Sequence, residues 1–448
     1  MTKRVSFITL GCAKNEVDTA HMTARLSRAG YEVLDWDDLS LDAVEGDALP
    51  LDAIIVNTCS FLRDAIEESL DTIFDVAGLP SVAEGGTKLV VVGCLPSRFG
   101  ADLEAELQEA QTFVPCKDET AIVAELDRLF GIERSDVDTD ESGTIGRLAR
   151  TSASPSAYVK ISDGCNRFCS FCAIPFIRGR YHSFTYEAIR DEVQNLVNQG
   201  VAEIVLIAQD TGIWGSDLEP KRTLASLLDQ LATEFPHTWL RVLYIQPEHV
   251  DETLLRTIAA HDNICNYLDI PFQHVDETLL KSMNRRGSRA EFTQLIQQIR
   301  TILPEVALRT TYIVGYPGES DEQFEELCDF VAEVDFDYVG VFAFSPEDGT
   351  RAAGLPDQID EDTKQERLRT LREIADTVSS SQLARFVGKR LDVLVLGAEE
   401  DGQLLGRSKY QAPDVDGVTY IDSGEVGKII PVRIDATLYY EMEGTREG

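Results

Sequence analysis

Three cysteines within eight residues constrain this 448-residue chain more than any other feature. Cys165, Cys169 and Cys172 stand in a C-x-x-x-C-x-x-C run directly after a strand-like segment, Tyr158 to Ile161. Three thiolates on one short loop can hold a soft metal centre, yet they leave a fourth ligand position open. A zinc site completed by a distant His or Cys is one alternative, and three thiols that bind nothing is another. Structural zinc favours paired C-x-x-C units, which this spacing fits poorly. An iron–sulfur cluster with three cysteine ligands and one open iron explains the run better.

The first ~120 residues alternate strand and helix patterns, which argues for a parallel sheet covered by helices. Val5–Leu10, Ala53–Asn57 and Lys88–Val92 read as strands, and each runs into a cysteine: Cys12, Cys59 and Cys94. Parallel strands align their carboxyl ends along one edge, so these distant cysteines are expected to meet there. A buried cysteine can end a strand by accident, but three in the same context point to a second three-thiolate cluster. Cys116, Cys265 and Cys328 lack that context and are expected to be structural thiols.

From Tyr158 the alternation resumes with longer helices. Strands are expected at Tyr158–Ile161, Glu203–Ala208, Leu240–Ile245, Tyr267–Ile270, Leu308–Val314 and Tyr338–Phe344. Six βα units are too few for a closed eight-strand barrel and suit a curved, open (β/α)6 barrel, with its chemistry at the carboxyl ends of the strands. Polar or glycine-rich loops follow those ends at Gln209-Asp210-Thr211, Gln246-Pro247-Glu248, Gln273-His274, Gly315 to Glu319 and Ser345 to Gly349. Five such loops on one face mark a cofactor mouth. His182 and His274 carry no catalytic assignment.

A polar stretch rich in Asp, Ser and Thr before Ser156 reads as a linker. A charged helix over 361–386 leads into short strands broken by Gly, Asp and Pro, the pattern of a small antiparallel β-barrel. The expected division is therefore 1–118, a linker over 119–150, a barrel over 151–378 and a small β-barrel over 379–448.

With 41 Lys and Arg against 78 Asp and Glu, the net charge is −37. Bulk repulsion disfavours RNA and anionic membranes and favours a basic partner. From Ser379 onward the tail holds eight basic and twelve acidic residues, so it lacks the basic face of nucleic-acid-binding barrels. Nine cysteines with no signal-like segment suggest a reducing, cytoplasmic setting.

The segment around Cys165 resembles the radical S-adenosylmethionine (SAM) enzymes. The chain as a whole resembles the methylthiotransferases of that superfamily. Gly11-Cys12-Ala13-Lys14-Asn15-Glu16-Val17-Asp18, Asn57-Thr58-Cys59-Ser60-Phe61, Val92-Gly93-Cys94-Leu95 and Tyr312 to Glu319 carry the likeness. It implies a Rossmann-like N-terminal domain, a radical SAM barrel and a C-terminal TRAM domain. It also implies two [4Fe-4S] clusters, one on Cys165, Cys169 and Cys172 and one on Cys12, Cys59 and Cys94. Phe171 is then expected against the adenine of SAM, with Gln209, Asp210 and Gly315 as further SAM contacts.

One branch of the family modifies adenosine in tRNA, and another modifies an aspartate of ribosomal protein S-twelve. Cys12-Ala13-Lys14-Asn15, Ala208-Gln209-Asp210-Thr211, Leu268 to His274 and Ala412 to Gly417 resemble the second. That resemblance implies a methylthio group placed on the aspartate β-carbon, two SAM consumed, sulfur carried on the auxiliary cluster, and an electron donor such as flavodoxin or ferredoxin. It makes tRNA an unexpected substrate. The β-carbon offers no proton that a side-chain base could remove at neutral pH, so no catalytic acid or base is assigned and the chemistry is borne by the cofactors. Two departures stand out: Ser183-Phe184 replaces the family's Ser-Arg pair, and Asp37 to Asp52 is longer and more acidic than usual.

Overall fold

The computed structural model describes residues 2–39, 50–134 and 144–447. Ten residues of the acidic stretch, 40–49, and nine of the expected linker, 135–143, lie outside the described residues. Five parallel strands open the chain: β1 (Arg4–Thr9), β2 (Glu32–Leu34), β3 (Ala53–Thr58), β4 (Lys88–Gly93) and β5 (Thr112–Pro115), in the order β2-β1-β3-β4-β5. Every side chain of β3 is buried, as a central parallel strand covered on both faces requires. Ile122, Val123 and Leu126 of the helix Ile122–Phe130 share a core with Val5, Ile55 and Val90, so the start of the expected linker packs as part of this first unit.

The second unit holds six parallel strands in chain order: β6 (Ser156–Lys160), β9 (Glu203–Ile207), β10 (Trp239–Val242), β11 (Tyr267–Asp269), β12 (Ala307–Val314) and β13 (Tyr338–Ala343). They form two three-stranded sheets, joined where Leu240 bridges Ile264 in parallel. Between β6 and β9, the short strands β7 (Ser162–Asp163) and β8 (His182–Ser183) pair antiparallel and close the base of the cysteine loop. Along β9 the side chains alternate as the pleat demands. Ile204 and Leu206 pack under the outer helices, while Val205 and Ile207 face inward with Trp239, Tyr267 and Tyr338.

That inward face is shared with the third unit. Strands β14 (Arg390–Ala398), β15 (Leu404–Ser408), β16 (Thr419–Ile421), β17 (Ile429–Leu438) and β18 (Glu441–Arg446) form a closed barrel in the order β14-β15-β16-β18-β17. Its pairs are antiparallel except β16–β18, which is parallel. Val393, Val395, Ile430 and Val432 merge with the inner face of the large barrel in one core. Within that joint, Glu203 is completely buried and accepts from Arg241 Nε at 2.8 Å while also pairing with Arg407. Arg241 donates onward to the carbonyls of Lys409 (3.0 Å) and Ser408 (3.1 Å).

Burial alone would raise the Glu203 carboxyl, but Arg407 and Arg241 bring it down to about 2. A depressed carboxylate contributes stability that is complete above its unfolded pKa of about 4.3 and disappears as pH falls toward 2. Glu203→Gln should destabilise the joint by about 3 kcal/mol, because two buried guanidinium groups lose their counter-charge. In the parent protein, protease cleavage between the two barrels should rise as pH drops from about 4.3 toward 2. The variant should already be cleaved at neutral pH.

Candidate active site

Four neighbouring strands of the first sheet end in cysteine. Cys12 lies three residues beyond β1, and Cys59, Cys94 and Cys116 follow directly on β3, β4 and β5. Close approach is built into the backbone. Gly11 and Gly93 both have positive φ, 96° and 98°, a conformation glycine adopts without a Cβ penalty. A Cβ on Gly11 would stand 2.6 Å from Cys59 Cβ and 3.0 Å from its Sγ, and one on Gly93 would meet Asn57 Oδ1 at 2.3 Å. Cys12 thereby comes near enough to Cys59, and Cys59 to Cys94, for one thiolate to raise the pKa of the next. Cys59 is raised chiefly by burial, and Cys94 chiefly by its hydrogen bond with the Cys116 thiol.

Cys116 therefore does not share the surroundings of Cys265, which is buried in the joint between the two barrels, or of Cys328, which packs on the large barrel's outer core. It sits against Cys94, accepts from Ser97 Oγ at 3.2 Å, and forms an apolar cluster with Cys94, Ala173 and Ile177. The missed signal is the strand before it. Thr112–Pro115 is four residues long and ends in proline, so it gives little periodic pattern.

Cys165, Cys169 and Cys172 form the other trio, and their loop is fastened on every side. Cys165 N–H donates to Gly179 O (3.1 Å), and Cys172 N–H to Cys169 O (3.0 Å). Asn284 Nδ2 holds the carbonyls of Arg167 and Phe168, and Arg285 reaches Cys169 Sγ at 3.9 Å. Burial pushes Cys165 up to about 11 and Cys172 up to about 12. Both are thiols at neutral pH, so binding iron displaces their protons.

Arg167, inside this loop, donates to Asp210 Oδ2 and Glu248 Oε1, each at 2.5 Å, and lies 2.9 Å from His249 Nε2. It ties the cysteine loop to the ends of β9 and β10. Nearby in the chain's loops are buried polar atoms with no partner among the described residues: both side-chain polar atoms of Gln209, Asp210 Oδ1, Gln246 Oε1 and Ser162 Oγ. All lie just past the carboxyl ends of β6, β9 and β10, and such orphans are costly unless a polar ligand meets them. In the sequence Gln246 stands out only as part of a polar loop, because a lone glutamine carries no pattern.

Phe171 is half-buried against the barrel core. Gly315 has φ 71°; its N–H donates to Glu319 Oε2 at 2.6 Å, and a Cβ there would run into Lys364 at 2.4 Å. Its conformation is set by the turn. His274 is fully buried and pairs with Glu319 Oε1 at 3.2 Å, so it braces the same loop.

A buried seam joins the edge of the first sheet to the segment that follows Cys172. Asp18, on the helix Ala13–Arg28 that begins after Cys12, pairs with Lys160 of β6 and with Arg178 Nη2 at 2.9 Å. Arg178 stands six residues past Cys172. His21 lies 2.9 Å from Glu192 Oε1, and that carboxylate also receives Arg147 and Arg150. Glu347, in the loop after β13, accepts from Arg63 N–H (2.8 Å) and Arg98 (3.2 Å), and Arg98 also holds Ser60 O beside Cys59. Lys14 Nζ sits 3.5 Å from the Tyr244 ring centre beyond β10.

The residues fit the groups the resemblance implies. Glycine-permitted convergence brings three thiols together at the first sheet's edge. The second trio adjoins orphaned polar atoms that suit a polar cofactor such as SAM. Among the described residues no group of three or more His, Cys, Asp or Glu is set to hold a single metal ion. A four-iron cube binds its thiolates through different irons and so spaces them more widely.

Comparison with known proteins follows the same three units. Residues 159–331 match the radical SAM superfamily, residues 4–115 the uncharacterized protein family UPF0004, and residues 387–446 the TRAM domain. The chain is 39% identical to the ribosomal protein uS12 methylthiotransferase RimO of Geobacter sulfurreducens, over 99% of this chain and 98% of the relative. It is 41% identical to the protein of that name from a Synechococcus species, over 99% and 90%, and 37% identical to that of Clostridioides difficile, over 98% of each. Among solved structures, the fold is similar to the radical SAM methyltransferase TsrM of Kitasatospora setae (TM-score 0.56, 18% identity, 79% of this chain and 74% of that one). It is also similar to the cobalamin-dependent radical SAM enzyme OxsB (TM-score 0.52, 13% identity, 83% and 56%).

Gly11→Ala should drive the new methyl group into Cys59 and spread the first trio. After anaerobic reconstitution the variant should hold about four irons per chain where the parent holds about eight. SAM cleavage should persist.

Proposed function

The chain belongs to the RimO family of uS12 methylthiotransferases, and from that premise we propose that it adds a methylthio group to the β-carbon of an aspartate in ribosomal protein uS12. Identity near 40% over almost the whole of both chains carries this reading. The protein is a radical SAM methylthiotransferase that uses two [4Fe-4S] clusters and SAM. We assign one cluster to Cys165, Cys169 and Cys172 and the other to Cys12, Cys59 and Cys94. The cofactors would supply, when bound, reductive SAM cleavage to a radical that abstracts a hydrogen atom from carbon, and a sulfur for transfer.

The chain's own residues bind, orient and exclude water. Gln209, Asp210 and Gln246 offer unsatisfied polar atoms to SAM, and Phe171 offers an apolar face. Arg167 keeps Asp210 in place from within the cysteine loop. The seam of Asp18, Lys160, Asp163 and Arg178 is nearly dry, with each side chain of the first, second and fourth at 2% exposure. Such a closed junction protects a reactive radical from solvent. No side chain is required as a general acid or base.

The division we propose is a cluster-bearing domain that extends from the expected 1–118 through the helix Ile122–Phe130, a connection over the rest of 119–150, the radical SAM barrel over 151–378 and the TRAM domain over 379–448. No helix among the described residues is long and apolar enough to cross a membrane. A ribosomal substrate places the work in the cytoplasm, with a flavodoxin or ferredoxin as one-electron donor. The net charge of −37 suits a basic protein substrate better than tRNA.

Anaerobically reconstituted protein given SAM and reductant should add mass to uS12 and none to tRNA offered in parallel. The reverse result moves the chain to the tRNA branch. Cys169→Ala should abolish SAM cleavage, whereas Cys94→Ala should keep cleavage and lose thiolation. Normal thiolation by Cys94→Ala removes the second trio from the reaction.

A further inference from the structure

The guanidinium of Arg178 occupies an unusual place. It belongs to the segment that leaves the Cys165–Cys172 loop, yet it points into the other cysteine trio. Nη2 lies 2.8 Å from Asn15 Oδ1, 2.9 Å from Asp18 Oδ2 and 3.8 Å from Cys94 Sγ, and Nη1 lies 3.3 Å from Asp163 Oδ2. The residue is 5% exposed. Asn15 is itself fixed, since its amide nitrogen donates to Leu10 O (2.8 Å) and Thr58 O (2.9 Å). The Cys94 thiol also donates to Asn15 Oδ1, at 3.7 Å. When Cys94 becomes a thiolate ligand that S–H donation ends, and Arg178 is left as the charged donor facing the sulfur, beside the neutral Cys116 thiol.

We propose that Arg178 is a positioning residue for the cluster on Cys12, Cys59 and Cys94: it donates to the Cys94 sulfur and holds that cluster's reduction potential up. The inference rests on the assignment of a cluster to this trio. Hydrogen bonds to ligand sulfurs set iron–sulfur potentials, and outer-shell partners tune the metal through its ligands. A positive charge and an N–H donor both favour the reduced, more negative cluster. Burial strengthens the effect, because few water dipoles screen the charge. Asp18 and Asp163 oppose it and Lys160, paired with both, offsets them in part, so the potential is set by the balance of the whole buried group. Ala173 and Ile177 pack on Cys94 and Cys116, which fixes the arginine's backbone beside its target.

The test uses the full chain with Cys165, Cys169 and Cys172 changed to alanine, so that the remaining trio holds the sole cluster. Its midpoint is read by potentiometric EPR, with iron content measured alongside. Arg178→Gln should shift the midpoint to more negative potential. Asp18→Asn, which relieves the same guanidinium of a counter-charge, should shift it to more positive potential. Arg178→Lys should fall between Arg178→Gln and the parent. Loosening that merely admits water moves both variants in one direction, so shifts of the same sign overturn the proposal, as does an unmoved midpoint. If Arg178→Gln takes up no iron, Arg178→Lys against Asp18→Asn provides the same contrast of sign. A background protein that binds no iron at all sinks the cluster assignment itself. A bound cluster with the wrong shifts removes only the role of Arg178.

Discussion

A seam of buried charge between the first sheet and the large barrel determines whether this protein has a site at all. The helix after Cys12 and the segment after Cys172 are otherwise independent pieces of chain, and they are held together by Asp18, Lys160, Asp163 and Arg178. Burial works against the charge on Lys160, but Asp163, Asp18 and Glu119 keep it protonated. Buried ion pairs add little stability relative to a well-packed apolar contact, because desolvation consumes most of the Coulomb gain. They are nonetheless specific: an apolar seam tolerates a small rotation, whereas a guanidinium shared among two carboxylates and an amide does not. Registry between the first sheet's edge and the segment after Cys172 is what these pairs provide, more than stability.

The architecture was legible from sequence wherever a strand is long and apolar and a functional loop follows it. Lys88–Gly93 and Glu203–Ile207 announce themselves, and the cysteines or polar residues after them could be placed on one edge before any coordinates. Elements that escaped are short or polar. Glu32–Leu34 and Thr112–Pro115 offer too few residues for periodicity, and losing β5 hid the relation between Cys116 and Cys94. Glu441–Arg446 carries a single large apolar residue, Met442, yet it closes the small barrel by pairing with both β16 and β17. Pairing across a closed barrel depends on distant partners, which a local pattern cannot register.

Side-chain roles inside the site were less legible for the same reason. The six cysteines stand out in the sequence, three by their tight spacing and three by their shared place after a strand. Arg178, Arg167 and Gln246 are visible only once the loops that carry them are brought together. Acidic residues show the opposite error. Asp416, in the tail segment that resembles the ribosomal-protein branch, is buried, accepts from Tyr267 OH at 2.7 Å, and has its pKa raised to about 6, chiefly by burial. Asp414 accepts from Tyr158 OH at 2.5 Å. These two carboxylates dock the small barrel onto the large one. The Asp416 carboxylate is shut away in that joint, whereas Asp414 stays exposed to solvent.

The replacement at Ser183-Phe184 can be understood in similar terms. Phe184 packs on the barrel core, its carbonyl accepts from Trp214 Nε1 at 3.0 Å, and the Arg147 guanidinium lies 3.8 Å from its ring centre. Arg147 arrives from the connection between the first two units and continues to Glu192. A cation set against an aromatic face and a buried carboxylate is held on two sides. A guanidinium therefore still stands beside residue 184, supplied from another part of the chain, and its partners make it structural. The aromatic ring anchors the connection to the barrel core. That connection in turn places Arg150 and Arg147 on Glu192, the carboxylate that also meets His21 of the helix following Cys12.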